Sequence, residues 1–110
     1  MRGTQTAGSE GIVEFLTIYP GWYRGRAVHI HLRVQVGGDA VLTTQVYFDD
    51  AHTEAVYTDA PYAEFGPPDT SNADDVIAGD IVAGGNLLDL AAGPTSNGDG
   101  TVALLNLGIP

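Results

Sequence analysis

The sequence predicts an all-β protein: a compact antiparallel β-sandwich of about five to seven strands, formed as a single domain over residues 1–110. Segment 28–36 alternates between apolar and polar residues with a period of two, which is typical of a strand with one buried face. Runs of β-branched and aromatic residues elsewhere are separated by Gly- and Pro-rich turns. Neither an internal repeat nor a heptad pattern is present, so a helical architecture is not expected.

The clearest strand is the segment that contains two histidines. Its residues alternate in the order Val28, His29, Ile30, His31, Leu32, Arg33, Val34, Gln35, Val36. Both histidines therefore leave the strand on the same face, one pleat apart, where two imidazoles can share one metal ion. A polar, solvated sheet face would give the same pattern, so the His-x-His spacing alone leaves both interpretations open.

A second strand, 40–48, follows after Gly37-Gly38-Asp39, and this Gly-rich connection predicts a tight hairpin. Because the apolar faces of the two strands must coincide, Val36 is expected to pair with Ala40. The same register places His31 opposite Gln45, His29 opposite Tyr47 and Arg33 opposite Thr43. A face that carries His, Gln, Tyr and Arg together favours a functional site over solvated surface.

The composition excludes some classes of partner. The chain has a formal net charge of −10, with fourteen acidic residues and four basic ones, all arginine. Nucleic acids and anionic membrane surfaces require basic patches, so neither is expected as a partner. There are no cysteines, and no run is apolar enough to span a bilayer. The acidic, lysine-free composition predicts a secreted or periplasmic protein whose signal peptide lies outside this sequence.

The residue patterns of the remaining segments also predict their structure. Segment 12–18 is expected to form a strand, and 19–26 to form a loop broken by Pro20-Gly21 and Gly25. The acidic segment 49–80 carries nine of the fourteen acidic residues and is expected to be a long loop with one short helical turn, capped by Asn72 or Asp74. Two more strands are expected at 86–91 and 101–107, joined by a turn over 94–100.

Several of these residues together resemble a known family. The string from Thr17 to Tyr23, then Gly25-Arg26, then His29-Ile30-His31, is similar to the metal-binding core of the intradiol ring-cleaving dioxygenases of the catechol and protocatechuate type. The similarity continues through 42–48 and extends weakly to the end of the chain. It implies that the chain corresponds to the C-terminal portion of a family member.

The resemblance implies a ferric, non-haem site and a role for each matching residue. In the family, two tyrosines and two histidines hold the metal. By motif position, Tyr23 is similar to the second tyrosine ligand, the one that leaves the metal during catalysis, and His29 and His31 are similar to the histidine ligands. Arg26 is similar to the arginine that stabilises the carbanion-like substrate, and Gln45 to the glutamine that lies behind the ligands.

The sequence departs from the family because Met1 to Ile18 offers no counterpart of the first tyrosine ligand or of the segments that cover the substrate pocket. The site is therefore expected to be shallow and open, or covered by a second subunit. Two imidazoles with a weak oxygen ligand, from Gln45, Tyr23 or water, suit copper, zinc or iron, and the Irving–Williams order favours Cu(II).

Three functional hypotheses follow. The first, which we rank slightly higher, is a copper oxidoreductase that uses O2 or H2O2 to attack a polysaccharide, with Trp22, Tyr23 and Tyr47 as aromatic platforms. The second is an Fe(III) intradiol dioxygenase acting on catechol-type rings, and the third is a non-catalytic glycan-binding module. A homodimer is expected under either enzymatic hypothesis.

Each site residue also has a simpler interpretation. Trp22 can pack the loop, Tyr47 can be a cross-strand partner, and Arg26 can pair with the acidic segment. His52 is expected to be a solvated loop histidine rather than a third imidazole of the site.

Overall fold

The computed structural model describes residues 1–95 and 98–110. In chain order, the elements in these ranges are β1 (His29–Val36), β2 (Asp39–Tyr47), α1 (Asp50–Val56), a 3₁₀ helix (Tyr62–Phe65), α2 (Ala78–Ala83), β3 (Asp89–Thr95) and β4 (Gly98–Leu104). β1 pairs with β2 and β3 pairs with β4, each as an antiparallel two-stranded sheet. The predicted antiparallel all-β class is confirmed, although the described residues form four strands rather than five to seven.

The β1–β2 hairpin has the predicted register over most of its length. His29 pairs with Tyr47 and His31 with Gln45. The predicted pairing of Val36 with Ala40 is wrong: Val36 pairs with Asp39, because the register shifts between Val34 and Gln35. Such a shift is the mark of a β-bulge, and it lies at the turn end of the hairpin, away from the two histidines.

The turn of this hairpin has two residues rather than the predicted three. Gly37 and Gly38 have φ values of 60° and 88°. A type I′ turn requires positive φ at both central residues, and its twist matches that of the flanking strands. Glycine adopts this backbone conformation without steric cost, which explains why the connection is Gly-Gly.

The predicted strand at 12–18 is not formed: this segment has no strand partner among the described residues. Its apolar side chains are exposed, with Ile12 61% and Leu16 60% accessible. The segment is instead tied back by Gln5, whose side-chain amide donates to the carbonyl of Glu14 and accepts from its N–H. An alternating pattern gives a strand only where a neighbouring strand can satisfy its backbone groups.

The acidic segment 49–80 is not the predicted long loop, because it contains α1, the 3₁₀ helix and the start of α2. The carboxylate of Asp49 caps α1 by accepting from the backbone N–H of His52 at 3.2 Å. The caps predicted at Asn72 and Asp74 are wrong. The Asn72 amide donates to the carbonyl of Phe48 at 2.7 Å, and Asp74 accepts from the Ser71 hydroxyl at 3.1 Å.

The C-terminal hairpin is shifted relative to the prediction. β3 begins at Asp89 rather than at Asn86, because the residues before it pair with Tyr47 at the end of β2 instead. The N–H of Tyr47 donates to the carbonyl of Asn86 at 3.0 Å, and the N–H of Leu88 donates to the carbonyl of Tyr47 at 2.9 Å. Of the predicted turn at 94–100, Pro94 and Gly98 lie in strands, whereas positions 96 and 97 lie outside the described residues.

Two buried clusters form the core of the described residues, and each includes a residue beside His29. The first contains Ala27, Tyr47 and Ala78, and the second contains Val28, Phe48 and Tyr57. The start of β1 and the end of β2 are therefore anchored in the core, while the turn end of the hairpin is exposed. Among the described residues, no helix has the length and apolar character needed to cross a membrane.

Candidate metal centre

Three potential ligand atoms converge on the polar face of the β1–β2 hairpin. The Nε2 atoms of His29 and His31 lie 3.3 Å apart, and the Tyr23 hydroxyl lies 3.4 Å from His29 Nε2. Metal–nitrogen bonds of about 2.0–2.1 Å place two ligands of a tetrahedral ion about 3.3 Å apart. These spacings fit a single transition-metal ion held by two imidazoles and one phenol oxygen. No cluster of three or more His, Cys, Asp or Glu that could hold a metal occurs in the described residues, so the third donor here is the tyrosine.

A tight turn at 23–26 brings Tyr23 over the histidines. Tyr23 and Arg26 form an isolated antiparallel bridge, and Gly25 within the turn has a φ of 81°. The N–H of Gly25 donates to the carboxylate of Asp69 at 3.1 Å, which fixes the turn from outside. The Tyr23 ring then lies edge-on to the imidazole of His29, with ring centroids 5.7 Å apart.

The tautomer of His29 is set by its backbone neighbour. His29 Nδ1 lies 2.6 Å from the carbonyl oxygen of Ala27, which can only accept a hydrogen bond. Nδ1 therefore carries the proton, and the lone pair of Nε2 faces Tyr23 and His31, as a metal ligand requires. Burial lowers the pKa of His29, and the nearby charge of Arg26 lowers it further, so the neutral imidazole is favoured.

Arg26 lies beside the ligand atoms and uses all three guanidinium nitrogens. Nε donates to Asp75 at 2.8 Å and Nη1 to the Tyr23 hydroxyl at 3.4 Å. Nη2 donates to Gln45 Oε1 at 2.6 Å and to the Tyr47 hydroxyl at 3.2 Å. Burial alone would lower the pKa of Arg26, but the hydrogen bond and charge of Asp75 raise it above its ordinary value. Arg26 thus pairs with the acidic segment, as one prediction has it, and also lies beside the candidate ligands, as the other has it.

Sequence reasoning missed Asp75, which is the most heavily hydrogen-bonded carboxylate of this region. It accepts from Arg26 Nε, from the N–H of Ala27 at 2.7 Å, and from the N–H groups of Ile77 and Ala78 at 2.8 and 3.0 Å. Burial would raise its pKa, but these four donors outweigh burial and lower the pKa to about 2. Asp75 lies two and three residues before Ile77 and Ala78, and this spacing is a recognisable capping pattern. The caps predicted from the sequence were Asn72 or Asp74 instead.

Gln45 lies where the predicted register places it, opposite His31. Its Oε1 atom accepts from both Arg26 and the Tyr47 hydroxyl. The oxygen that was considered as a weak metal ligand is therefore engaged by two donors. This arrangement favours a role for Gln45 in orienting Arg26 over a role as a ligand.

The two aromatic residues predicted to contact substrate are in different environments. Tyr47 is 0% exposed and packs in the first core cluster, so its ring has no free face and the predicted role as a sugar platform is wrong. Trp22 is partly buried against the second cluster, and its indole N–H donates to the carbonyl of Gly66 at 3.1 Å, which fits the packing interpretation. Tyr23, in contrast, is 54% exposed.

The site lies on an open face of the isolated chain rather than in a cleft. His31 and Tyr23 are exposed, and a cavity of about 210 Å³ nearby is lined by Val28, Thr53 and Asn72 but by none of the candidate ligands. His52 does not contribute a third imidazole to this arrangement: its ring packs against Tyr19, with centroids 5.7 Å apart. Within the part of the chain that the structure describes, its Nε2 atom has no hydrogen-bond partner.

No family model and no curated protein matches the sequence. Two dioxygenases are among the solved structures that match the fold. An intradiol ring-cleavage dioxygenase from Tetranychus urticae superposes with a TM-score of 0.71 at 26% sequence identity, over 84% of this chain and 44% of that protein. A crystal structure of a dioxygenase superposes with a TM-score of 0.81 at 25% identity, over 94% of this chain and 49% of that protein.

These comparisons agree with the oxidoreductase class and with a transition metal, but they give no support to the preference for copper. Polysaccharide as substrate, secretion and a homodimer stay predictions. The chain spans less than half the length of each of the two proteins. Over that span, the fold and the Tyr23–His31 motif make this chain similar to a portion of the intradiol ring-cleaving dioxygenases.

Proposed function

We propose that the chain carries a non-haem Fe(III) site and acts as an intradiol dioxygenase on catechol-type rings, opening the ring between its two hydroxylated carbons with O2. The observation that carries this proposal is that the Tyr23 hydroxyl and His31 Nε2 both lie within 3.4 Å of His29 Nε2, in a fold similar to that of an intradiol dioxygenase. Iron replaces copper as the favoured metal because the structural neighbours are dioxygenases and because the third donor is a phenol.

The donor set suits a ferric ion. A tyrosinate is a hard, anionic oxygen ligand, and two neutral imidazoles complete a set with open positions for substrate. His29 and His31 would bind through Nε2 and Tyr23 through its phenol oxygen. A ferric ion held there would act as a Lewis acid toward the hydroxyl groups of a bound catechol.

The residues around the ligands supply fixed positive charge. The guanidinium of Arg26 lies 3.4 Å from the Tyr23 oxygen and is held by Asp75 and Gln45 before any substrate arrives. A preorganised cation at this position stabilises negative charge that develops on a substrate beside Tyr23. Gln45 keeps Arg26 on the ligand face, because its Oε1 accepts from Nη2. The open face admits a free catechol without movement of the chain.

The test is metal loading followed by an assay on catechols. The protein is incubated with Fe(III) or Cu(II), desalted, and analysed for metal content, electron paramagnetic resonance and O2 consumption with catechol, beside a His29→Ala, His31→Ala control. We expect a stoichiometric high-spin ferric signal, a tyrosinate-to-iron absorption band and a ring-opened product, all lost in the control.

Two results would overturn the proposal. A stoichiometric axial Cu(II) signal, with oxidative cleavage of polysaccharide and no ring opening of catechol, would restore the copper hypothesis. Binding of glycan without retention of either metal would favour the non-catalytic module.

A further inference from the structure

We propose that Asp75 is a positioning residue of the metal site, whose one buried carboxylate fixes both the guanidinium of Arg26 and the backbone that orients His29. The effect on catalysis rests on the proposed function. The positioning of Arg26 and of the Ala27 backbone by Asp75 is a property of the metal-free chain. Asp75 lies 49 residues from Arg26 and 48 from Ala27 along the chain, at the approach to α2. Its side chain has 0% exposure, so water does not compete for its oxygens.

The first contact is the ion pair with Arg26. Asp75 Oδ2 accepts from Nε at 2.8 Å, and the Arg26 side chain is 15% exposed. The other acceptors of the guanidinium are the phenol oxygens of Tyr23 and Tyr47 and the amide oxygen of Gln45, so Asp75 is the only carboxylate among its acceptors in the described part of the chain. Asp75 therefore supplies the counter-charge for a largely buried cation, and without it the side chain would leave the site for solvent.

The second contact runs through Ala27 to a candidate ligand. The same Oδ2 atom accepts from the N–H of Ala27 at 2.7 Å, and the carbonyl of Ala27 accepts from His29 Nδ1 at 2.6 Å. Ala27 is 2% exposed. Its backbone is thus held on both sides, and the carbonyl that selects the His29 tautomer depends on the carboxylate that holds Arg26.

The other carboxylate oxygen anchors this arrangement to the core. Asp75 Oδ1 accepts from the N–H groups of Ile77 and Ala78 at 2.8 and 3.0 Å, and Ala78 is fully buried against Tyr47. With one oxygen held by α2 and the other directed at the site, the carboxylate cannot rotate without losing two hydrogen bonds. This division of the two oxygens is what distinguishes a positioning residue from a residue that only caps a helix.

The direct test is an NMR measurement on the metal-free protein. The chain has four arginines, and among the described residues only Arg26 forms an ion pair. We expect one arginine Nε–H to be protected from solvent exchange, and this protection to be lost in Asp75→Asn. The matched control is Asp74→Asn, which removes the same charge from an exposed neighbour whose carboxylate, within residues 1–95 and 98–110, accepts only from the Ser71 hydroxyl.

Protection that persists in Asp75→Asn would overturn the inference. If that variant does not fold, as judged by circular dichroism, the wild-type spectrum decides: an Arg26 Nε–H that exchanges as fast as those of the other three arginines is incompatible with the proposal. Retention of the protected signal in Asp74→Asn and its loss in Asp75→Asn support it.

A kinetic cycle then separates this inference from the proposed function. In iron-loaded protein we expect Asp75→Asn to lower kcat with catechol by roughly 10–100-fold, the range for groups that orient metal ligands. The double variant Asp75→Asn, Arg26→Gln should be slowed by less than the product of the two single effects, because the loss of Arg26 already removes the part of the Asp75 effect that runs through the guanidinium. Equal metal affinity in Asp75→Asn and wild type would contradict the proposed route from Asp75 through Ala27 to His29.

If wild-type protein opens no ring, the proposed function fails, while the NMR result still decides whether Asp75 positions Arg26.

Discussion

His29 and His31 lie with their Nε2 atoms 3.3 Å apart, on one face of β1, and Ile30 between them packs against the second core cluster from the opposite face. The period of two of a β-strand places both rings on this face, and the pairing of His29 with the fully buried Tyr47 keeps that end of the hairpin fixed. The pair is therefore preorganised, and a metal ion bound by both imidazoles would not require the backbone to rearrange.

Removal of this pair should abolish metal binding. We expect His29→Ala, His31→Ala protein to lose stoichiometric metal, measured by elemental analysis after desalting, because two of the three convergent donors are gone. His52→Ala is the matched control, since His52 packs against Tyr19 and should leave metal content unchanged. Stoichiometric metal in the double variant would place the site elsewhere.

Tyr23→Phe removes the phenol oxygen, which is the third donor, and keeps the aromatic ring. We expect the tyrosinate-to-iron band to disappear, while the free energy of unfolding changes by no more than about 0.5 kcal/mol, because the side chain is 54% exposed. Absorbance of the iron-loaded protein and urea unfolding measure the two effects.

Tyr62→Phe is the converse control for that experiment. The Tyr62 hydroxyl donates to the carbonyl of Tyr19 at 2.9 Å, remote from the candidate ligands. Its loss should cost about 1 kcal/mol of stability and leave the iron band intact. A band that survives Tyr23→Phe would show that another phenol coordinates the metal.

The parts of the site that lie on one hairpin were predictable from the sequence. The requirement that apolar faces coincide fixed His29 opposite Tyr47 and His31 opposite Gln45, and both pairings are observed. The pairing of Val36 was not predictable, because a bulge adds a residue to one strand without a visible change in the apolar pattern.

Asp75 could not have been assigned to the site from sequence, because its partner Arg26 is 49 residues away and only the folded chain brings them together. The strand predicted at 12–18 is not formed for a related reason: its residues are typical of a strand, but a strand also needs a partner, which a local pattern does not supply. The preference for copper rested on the lack of a counterpart of the first tyrosine ligand in Met1 to Ile18, and the similarity to dioxygenases gives that preference no support.

The Gly37-Gly38 turn should tolerate little change. An L-residue with a side chain at φ 88° is strained, so we expect Gly38→Ala to cost about 1–2 kcal/mol in the free energy of unfolding. Gly38→Asn should cost less, because asparagine adopts the left-handed region more readily. Gly79→Ala in α2, where nothing lies within 4 Å of the added methyl group, should instead stabilise the protein slightly. Urea unfolding of the three variants tests this order, and equal effects of Gly38→Ala and Gly79→Ala would contradict the turn assignment.

Asp75 should also make the stability of the fold depend on pH in acid. Four hydrogen-bond donors outweigh the effect of burial and lower its pKa from 3.8 to about 2. A carboxylate whose pKa is lower in the folded state stabilises that state at any pH above its unfolded pKa, and this contribution disappears as the pH falls through the folded value. A pKa lowered from 3.8 to about 2 corresponds to a contribution of about 2 kcal/mol. We therefore expect the difference in unfolding free energy between wild type and Asp75→Asn to be constant down to about pH 4 and to shrink between about pH 4 and pH 2.

Urea titrations between about pH 2 and pH 7 measure this difference in unfolding free energy. Asp74→Asn is the exposed control, and its difference from wild type should stay small throughout. A wild-type to Asp75→Asn difference that is the same at about pH 2 and pH 7 would mean that the Asp75 carboxylate is not the group that these donors hold ionised.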